Sequence, residues 1–207
     1  MLKLFESNIF SLVSHAAYKA IFQKITVIKV QECVPILSPG EHQQYLYFIK
    51  KGIVRSYYKA LENEWTNWFA AEENPVFSTE SFLNNNPSME YIETCTPVIL
   101  YQISKPDYHQ LLKTFPELNQ LALNLLQNYL LTSEKRMYGL HMLTAYQRYE
   151  QFIQTHRHIA NRVQMQHIAS YLGITPTHLS RVRKEFARKE SLLPIQKLNV
   201  ATRINLC

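Results

Sequence analysis

The hydrophobic period of this chain changes twice along its length, and this change limits the folds it can adopt. Residues 1–24 carry apolar side chains at three- and four-residue spacing, which predicts a helix. From about residue 25 to 104, short runs of β-branched and aromatic residues alternate with turn signals such as SPGE and NNNPS. Such a series of short strands is typical of a β-sandwich or jelly roll. From Lys105 onward the spacing is helical again, so the sequence predicts an α+β chain with an N-terminal β domain.

The longest uninterrupted helical pattern runs from Pro116 to Thr144. Its apolar side chains cover an arc wider than a single core-facing stripe. A helix that is apolar on two flanks usually contacts two partners, here its own β domain and a second copy of the chain. The alternative is one helix buried within a monomer. We favour dimerisation and assign residues 113–143 to a dimerisation helix.

Residues 165–184, MQHIASYLGITPTHLSRVRK, have the pattern of a helix-turn-helix. The steep crossing of the two helices requires a small residue, Ala169, and the turn requires one that tolerates a positive φ, Gly173. Thr175 and Pro176 are a cap and a first-turn proline, so the second helix is expected to begin there. The positions that would form the core of the unit are Ile168, Ala169, Leu172, Gly173, Ile174, Leu179 and Val182. An ordinary helical hairpin is the alternative.

The exposed face of the second helix favours DNA binding over a plain hairpin, because it carries the hydrogen-bonding and cationic groups that insertion into the major groove requires. Residues 141–207 hold ten Lys and Arg against three Asp and Glu, while the formal net charge of the whole chain is +6. The base-reading residues we predict are Thr177, His178 and Arg181. The residues we predict to contact the DNA backbone are Thr175, Ser180, Arg183, Lys184 and Arg188.

These features together resemble the Crp/Fnr family of bacterial transcription regulators. The stretch YLYFIKKGIVRSYY, the β-rich first domain, the long helix and HIASYLGITPTHLSRVRK carry the resemblance, which extends to about residue 188. It implies a cyclic-nucleotide-binding-like β-roll, a cupin-like double-stranded β-helix, over residues 1–112. It further implies a dimerisation helix over 113–143 and a winged helix-turn-helix DNA-binding domain over 144–207. By the same resemblance, Arg181 falls where the family places an arginine against guanine, and Thr177 where many members have a base-reading glutamate.

The first domain lacks the residues with which members of that family bind a cyclic nucleotide. Phe77-Ser78 stands where those members have Gly-Glu, and Ser88-Met89 where they have Arg-Ser or Arg-Thr. Residues 60–104 contain no Arg or Lys, and burying a phosphate without a cation is costly. We therefore predict no cofactor, do not expect cyclic AMP to bind, and leave the effector unknown.

Metal and enzyme chemistry finds little support in the sequence. A cupin metal site needs clustered histidines, and the β region offers only His42. His156 and His158 lie in a polar stretch, which we interpret as solvated or phosphate-facing. Three cysteines cannot supply a four-cysteine iron–sulfur cluster, and the four glycines form neither a P-loop nor a nucleophile elbow. We predict no catalytic residue and no metal, whereas counting leaves a haem in an aromatic pocket of the β domain open.

The sequence thus predicts a cytoplasmic, homodimeric, sequence-specific DNA-binding transcription regulator that is not an enzyme. Its expected partners are double-stranded DNA and a second copy of itself, with RNA polymerase as a possible further one. We expect no membrane partner, because no run reaches the roughly 18 apolar residues that a span needs. Two alternatives stay open. One is a cupin-like metalloenzyme or small-molecule-binding protein with a vestigial helical tail, and the other is a protein-interaction module without DNA contact.

Overall fold

The computed structural model describes residues 13–204 of the chain, with side chains described for residues 13–190. The helix predicted over residues 1–24 is found as α1 over its second half, and residues 1–12 lie outside the described range. In chain order the elements are α1 (His15–Lys24), β1 (Thr26–Val30), β2 (Pro35–Leu37), β3 (Tyr45–Lys51), β4 (Val54–Ala60), β5 (Asn63–Ala70), β6 (Pro75–Val76), β7 (Tyr91–Thr94), β8 (Val98–Ser104), α2 (Lys105–Thr114), α3 (Glu117–Met142), α4 (Ala145–Ala160), α5 (Met165–Tyr171) and α6 (Pro176–Ile204).

The strands form two four-stranded antiparallel sheets, ordered β1-β8-β3-β6 and β2-β7-β4-β5. Apolar side chains from both sheets meet between them in a core that includes Ile49, Val54, Val76, Ile92 and Leu100. β5 pairs only with β4 and is therefore an edge strand. The prediction of an α+β chain with an N-terminal β-roll is confirmed.

The helices α1, α2 and the start of α3 cover one side of the roll. Ala17, Leu111 and Leu118 pack there with Phe82, which lies on a single π-helical turn at Thr79–Leu83. Local capping explains where two of these helices begin. Ser14 accepts a backbone N–H in the first turn of α1, and the Ser104 hydroxyl does the same for α2. Because α2 continues to Thr114, the domain boundary expected between residues 112 and 113 falls inside that helix.

The C-terminal part of the chain, as far as Ile204, consists of helices joined by short turns. α4, α5 and α6 pack around Phe152, Ile159, Ile168 and Leu179. The expected wing is not found: residues 144–204 contain no strand, and α6 continues as one helix to Ile204. The physical reason lies in the turn chemistry, since a tight hairpin favours glycine and the chain has none after Gly173.

The helical part packs against the β4–β5 side of the second sheet. The hydroxyl of Ser170 accepts the backbone N–H of Thr66 at 2.8 Å and donates to the carbonyl oxygen of Glu64 at 2.6 Å. A guanidinium nitrogen of Arg136, on α3, donates to the carbonyl oxygen of Thr66 at 2.7 Å. Side chains of α5 and α3 thus satisfy outward-facing backbone groups of the edge strand, which would otherwise need water or another chain.

Within residues 13–204, none of the helices combines the length and the apolar character that crossing a bilayer requires.

Candidate nucleic-acid interface

The turn between α5 and α6 has the geometry that its sequence demands. Gly173 has a φ of +65°, a conformation that residues with a Cβ rarely adopt. The N–H of Ile174 reaches back to the carbonyl oxygen of Ala169 at 3.0 Å and closes the turn. The hydroxyl of Thr175 accepts the N–H of His178 at 3.2 Å, and Pro176 is the first residue of α6. The second helix therefore begins where the cap and the proline predicted.

The residues expected in the core of the helix-turn-helix are mostly buried. Ile168, Ala169, Leu172, Leu179 and Val182 are at most 4% exposed. Two more positions belong to the turn: Ile174 is half-buried and Gly173 is exposed. Burial of α5 and α6 against each other leaves the remaining face of α6 directed outward.

The three predicted base-reading residues, Thr177, His178 and Arg181, are all exposed at the start of α6. Within the described residues, their side chains form no hydrogen bond or salt bridge with the rest of the protein. Glu185, four residues after Arg181, instead accepts the ammonium group of Lys189 at 2.9 Å. The guanidinium of Arg181 is thus not held by that carboxylate, and its role as a base reader stays a prediction.

The residues predicted to contact the DNA backbone lie in three different settings. Ser180 and Arg183 both lie beside the sulfur of Met165, at 3.8 and 3.7 Å, and so line the junction between α5 and α6. Lys184 and Arg188 are exposed further along α6. Thr175 is exposed, but its hydroxyl is already used as the helix cap. Lys184 and Arg188 are therefore accessible from solvent, as contact with phosphates requires.

Sequence reasoning missed a buried charged network beneath α5. The guanidinium of Arg55 forms salt bridges with Glu64 at 2.7 Å and Glu93 at 3.3 Å, and it lies 4.0 Å from the centre of the Tyr57 ring. The side chain of Arg55 is only 3% exposed. A buried ion pair of this kind costs desolvation but is strongly destabilising to break. All four residues lie on strands of the second sheet, so the network places buried charges in the β domain beneath α5.

His167 lies against this network and is 6% exposed. Burial lowers its pKa to about 4, and the charge of Arg55 acts in the same direction, against an opposing effect of Glu64. Its Nδ1 atom is buried without a hydrogen-bond partner among the described residues. The imidazole is thus neutral at pH 7.

The expectation that His156 is solvated or phosphate-facing is wrong. Its ring is half-buried and lies edge-on to Tyr171, with centroids 6.4 Å apart, and it also contacts Phe152. Burial lowers its pKa, and the nearby His158 lowers it further. The backbone at His156 leaves the helical region, with φ −129° and ψ 31°. Only its neighbour His158 is exposed as expected.

By the resemblance, Ser78 stands at the glutamate and Ser88 at the arginine with which other proteins bind a cyclic nucleotide, and both form hydrogen bonds within the β domain. The N–H of Ser78 donates to the side-chain oxygen of Gln43 at 2.7 Å, and the amide nitrogen of Gln43 donates to the carbonyl oxygen of Tyr45 at 2.7 Å. The hydroxyl of Ser88 is buried and donates to the backbone of Glu90, whose carboxylate accepts a hydrogen bond from Ser56. A backbone amide that could face a phosphate is therefore bound by a glutamine of the same domain.

The helix α3 has two apolar flanks, as its sequence pattern predicted. On one flank Leu118 is buried against the roll. On the other, Leu123, Leu130, Leu131 and Met137 are each about half exposed, at 48, 57, 52 and 56%.

Within the residues the structure describes, no group of three or more His, Cys, Asp or Glu side chains could hold a metal ion.

Comparisons with known proteins identify the fold. No protein-family model and no curated protein matches this chain. Among solved structures, FixK2 from Bradyrhizobium japonicum has a TM-score of 0.72 at 17% identity, over 80% of this chain and 86% of that one. The c-di-GMP responsive global regulator CLP from Xanthomonas campestris has a TM-score of 0.66 at 17% identity, over 86% and 93%. A putative transcriptional regulator of the Crp/Fnr family from Eubacterium rectale has a TM-score of 0.68 at 17% identity, over 88% and 89%.

The chain therefore has the fold of the Crp/Fnr transcription regulators, from the β-roll through the long helix to the helix-turn-helix. At these identities the likeness concerns the fold, and what the protein does must be argued from its own residues.

Proposed function

We propose that this protein is a homodimeric, sequence-specific DNA-binding transcription regulator with a sensor domain that does not use a cyclic nucleotide. The observation that carries the proposal is the face of α6. It presents Thr177, His178 and Arg181 to solvent at the start of a capped helix, with Lys184 and Arg188 on its flank. This is the arrangement that a recognition helix needs, with hydrogen-bonding groups for bases and cations for phosphates.

Arg181 is the principal base reader in this proposal. A guanidinium can bond guanine O6 and N7 together, which is worth about 1–3 kcal/mol of discrimination. A selection of random duplexes by the parent protein and by Arg181→Ala tests the role. We expect the variant to lose the preference at one base pair per half-site and to keep its non-specific affinity.

Arg188→Ala is the matched comparison. We expect it to weaken all sequences alike and to lower the slope of log affinity against log salt by about one unit. If Arg181→Ala keeps the full base preference and loses only salt-dependent affinity, Arg181 is a phosphate anchor and Thr177 and His178 must read the bases. If no duplex is selected at all, the proposed function is wrong.

Dimerisation is supported by the exposed flank of α3. Leu130→Glu introduces a charge at a position that is 57% exposed in one chain and would be desolvated in a helix seam. Analytical ultracentrifugation at micromolar concentration should give a dimer for the parent and a monomer for Leu130→Glu. Leu61→Glu, at a residue 91% exposed in the β4–β5 turn, should leave the dimer intact. A monomeric parent would contradict the proposal.

The absence of cyclic-nucleotide binding is supported by the hydrogen bond between Ser78 and Gln43 and by the absence of Arg and Lys from residues 60–104. Titration calorimetry with cyclic AMP and cyclic GMP should therefore show no heat of specific binding. A micromolar dissociation constant for either nucleotide would refute this part of the proposal.

A further inference from the structure

We propose that the cleft between α3 and α4 binds a small organic anion with a flat, unsaturated body. The cleft has a volume of about 720 Å³. That volume lies within the range of roughly 300–1,000 Å³ that small-molecule sites occupy. Its walls come from residues 132–140 of α3, residues 148–156 of α4, and Tyr171 and Leu172 at the end of α5.

Cations dominate the charge of this cleft. Lys135, Arg136 and Arg148 line it, and Glu134 is the only carboxylate among the lining residues. Within the described residues, none of the three cations forms a salt bridge. The two arginines bind carbonyl oxygens instead, and Arg148 reaches that of Leu172 at 2.8 Å. The site therefore has an excess of positive charge that the protein itself does not neutralise.

Among the three cations, Arg136 shows most clearly that the positive charge of the cleft lacks a carboxylate partner. It is half-buried, and its Nη2 donates to the carbonyl oxygens of Thr66 and Tyr171 at 2.7 and 3.3 Å. Its Nε is buried and has no partner among the described residues. Burial lowers the pKa of this guanidinium, and no carboxylate acts against that effect. A partly desolvated cation without an anion is unfavourable, so a bound anion would be strongly stabilised here.

Aromatic rings supply the reason for a flat ligand body. Tyr138 is 60% exposed on one wall, and the half-buried rings of His156 and Tyr171 lie on the other side. The guanidinium of Arg136 lies 4.9 Å from the centre of the Tyr171 ring. Since planar unsaturated groups stack favourably on such rings and on guanidinium planes, an aromatic or heteroaromatic anion fits better than an aliphatic one.

The cleft joins the two parts that the proposed function uses. One wall is the proposed dimerisation helix, and Leu172 belongs to the helix-turn-helix core. A ligand held between them would change the affinity for DNA by the same factor by which DNA changes the affinity for the ligand. This regulatory consequence rests on the proposed function, whereas the binding of the anion does not.

Titration of the full-length protein with phenyl phosphate, benzoate and benzyl alcohol tests the proposal. We expect one or both anions to bind and the neutral alcohol not to bind, and the two anions distinguish a phosphate from a carboxylate ligand. Arg136→Met should weaken binding at least tenfold. Because Arg136 also holds two carbonyl groups, Lys135→Met is a second variant. Its side chain is exposed and forms no hydrogen bond among the described residues, and we expect at least a threefold loss. Lys113→Met, an exposed lysine on α2, is the matched control and should bind like the parent.

Binding of neither anion, or binding unaffected by both cleft variants, would overturn the proposal. If the dimer does not bind and monomeric Leu130→Glu does, the partner chain fills the cleft and the proposal is equally wrong. If the anion binds with the expected dependence on Lys135 and Arg136 while no duplex is bound, the proposed function fails and the anion site stands.

Discussion

Lowering the pH from 7.5 to 5.0 should destabilise the folded protein through one buried histidine. His167 is 6% exposed, lies where α5 packs on the β domain, and has its pKa lowered to about 4, mainly by burial and further by Arg55. In the unfolded chain the same imidazole has a pKa near its ordinary value of 6.5. Protonation in the folded state would place a second cation beside the buried guanidinium of Arg55.

The sign and size of the effect follow from these two values. Between pH 6.5 and about 4, the unfolded chain binds a proton that the folded chain does not, so the free energy of unfolding falls as the pH falls through this window. Between pH 7.5 and 5.0, this linkage gives a loss of about 2 kcal/mol from His167. The pKa of the Glu72 carboxyl is lowered to about 2, so Glu72 contributes mainly below pH 4.5 and leaves this window to histidines.

Urea unfolding at pH 7.5 and at pH 5.0 measures the effect. In His167→Gln the loss of unfolding free energy between the two pH values should be about 2 kcal/mol smaller than in the parent. His156 acts in the same direction, because burial lowers its pKa as well, and His156→Gln separates its share. His158→Gln, at an exposed histidine of α4, is the matched control. If His167→Gln shows the same pH-dependent loss as the parent, the neutral buried imidazole is not its source and the reasoning is refuted.

Three substitutions test single features of the fold by urea unfolding at pH 7.5. Gly52→Ala should cost about 1–3 kcal/mol, because φ is +106° and a Cβ would lie 2.6 Å from the carbonyl oxygen of Pro97, and an unchanged midpoint would contradict this. Thr175→Ala should cost about 1 kcal/mol, because the cap on the N–H of His178 is lost, whereas Thr175→Ser should retain it. Leu179→Ala should cost about 2–5 kcal/mol, since this side chain is fully buried, and a loss below 1 kcal/mol would mean that the site collapses around the cavity.

Local patterns in the sequence are sufficient to predict much of the fold. The runs ITVIKV and VILYQI became the paired strands β1 and β8, and the helical pattern from Pro116 to Thr144 became α3. The strands β2 and β6 were not predicted, because segments of three and two residues are too short to show an alternating pattern. They are strands only because β7 and β3 offer them backbone partners.

The candidate site divides in the same way. The cap at Thr175, the turn at Gly173 and the exposure of Arg181 depend on residues within one short segment, so the sequence could predict them. The burial of His167 could not be predicted, because Arg55 lies more than one hundred positions earlier in the chain and the two come together only when α5 packs on the β domain. No periodicity within a segment reports such a contact.

The backbone of Thr66 links the three parts of the molecule. Its N–H is bound by Ser170 of α5, its carbonyl oxygen by Arg136 of α3, and the residue itself is fully buried in the β domain. Moving α5 away from β5 would break both hydrogen bonds of Ser170, each worth about 0.5–1.5 kcal/mol, unless new partners replace them. Moving α5 and α6 together relative to the roll must therefore be accompanied by new contacts of that size. The anion that we propose for the cleft would engage Arg136, which donates to the carbonyl oxygen of Thr66, and would thus act next to the contact between α5 and β5 without touching α6.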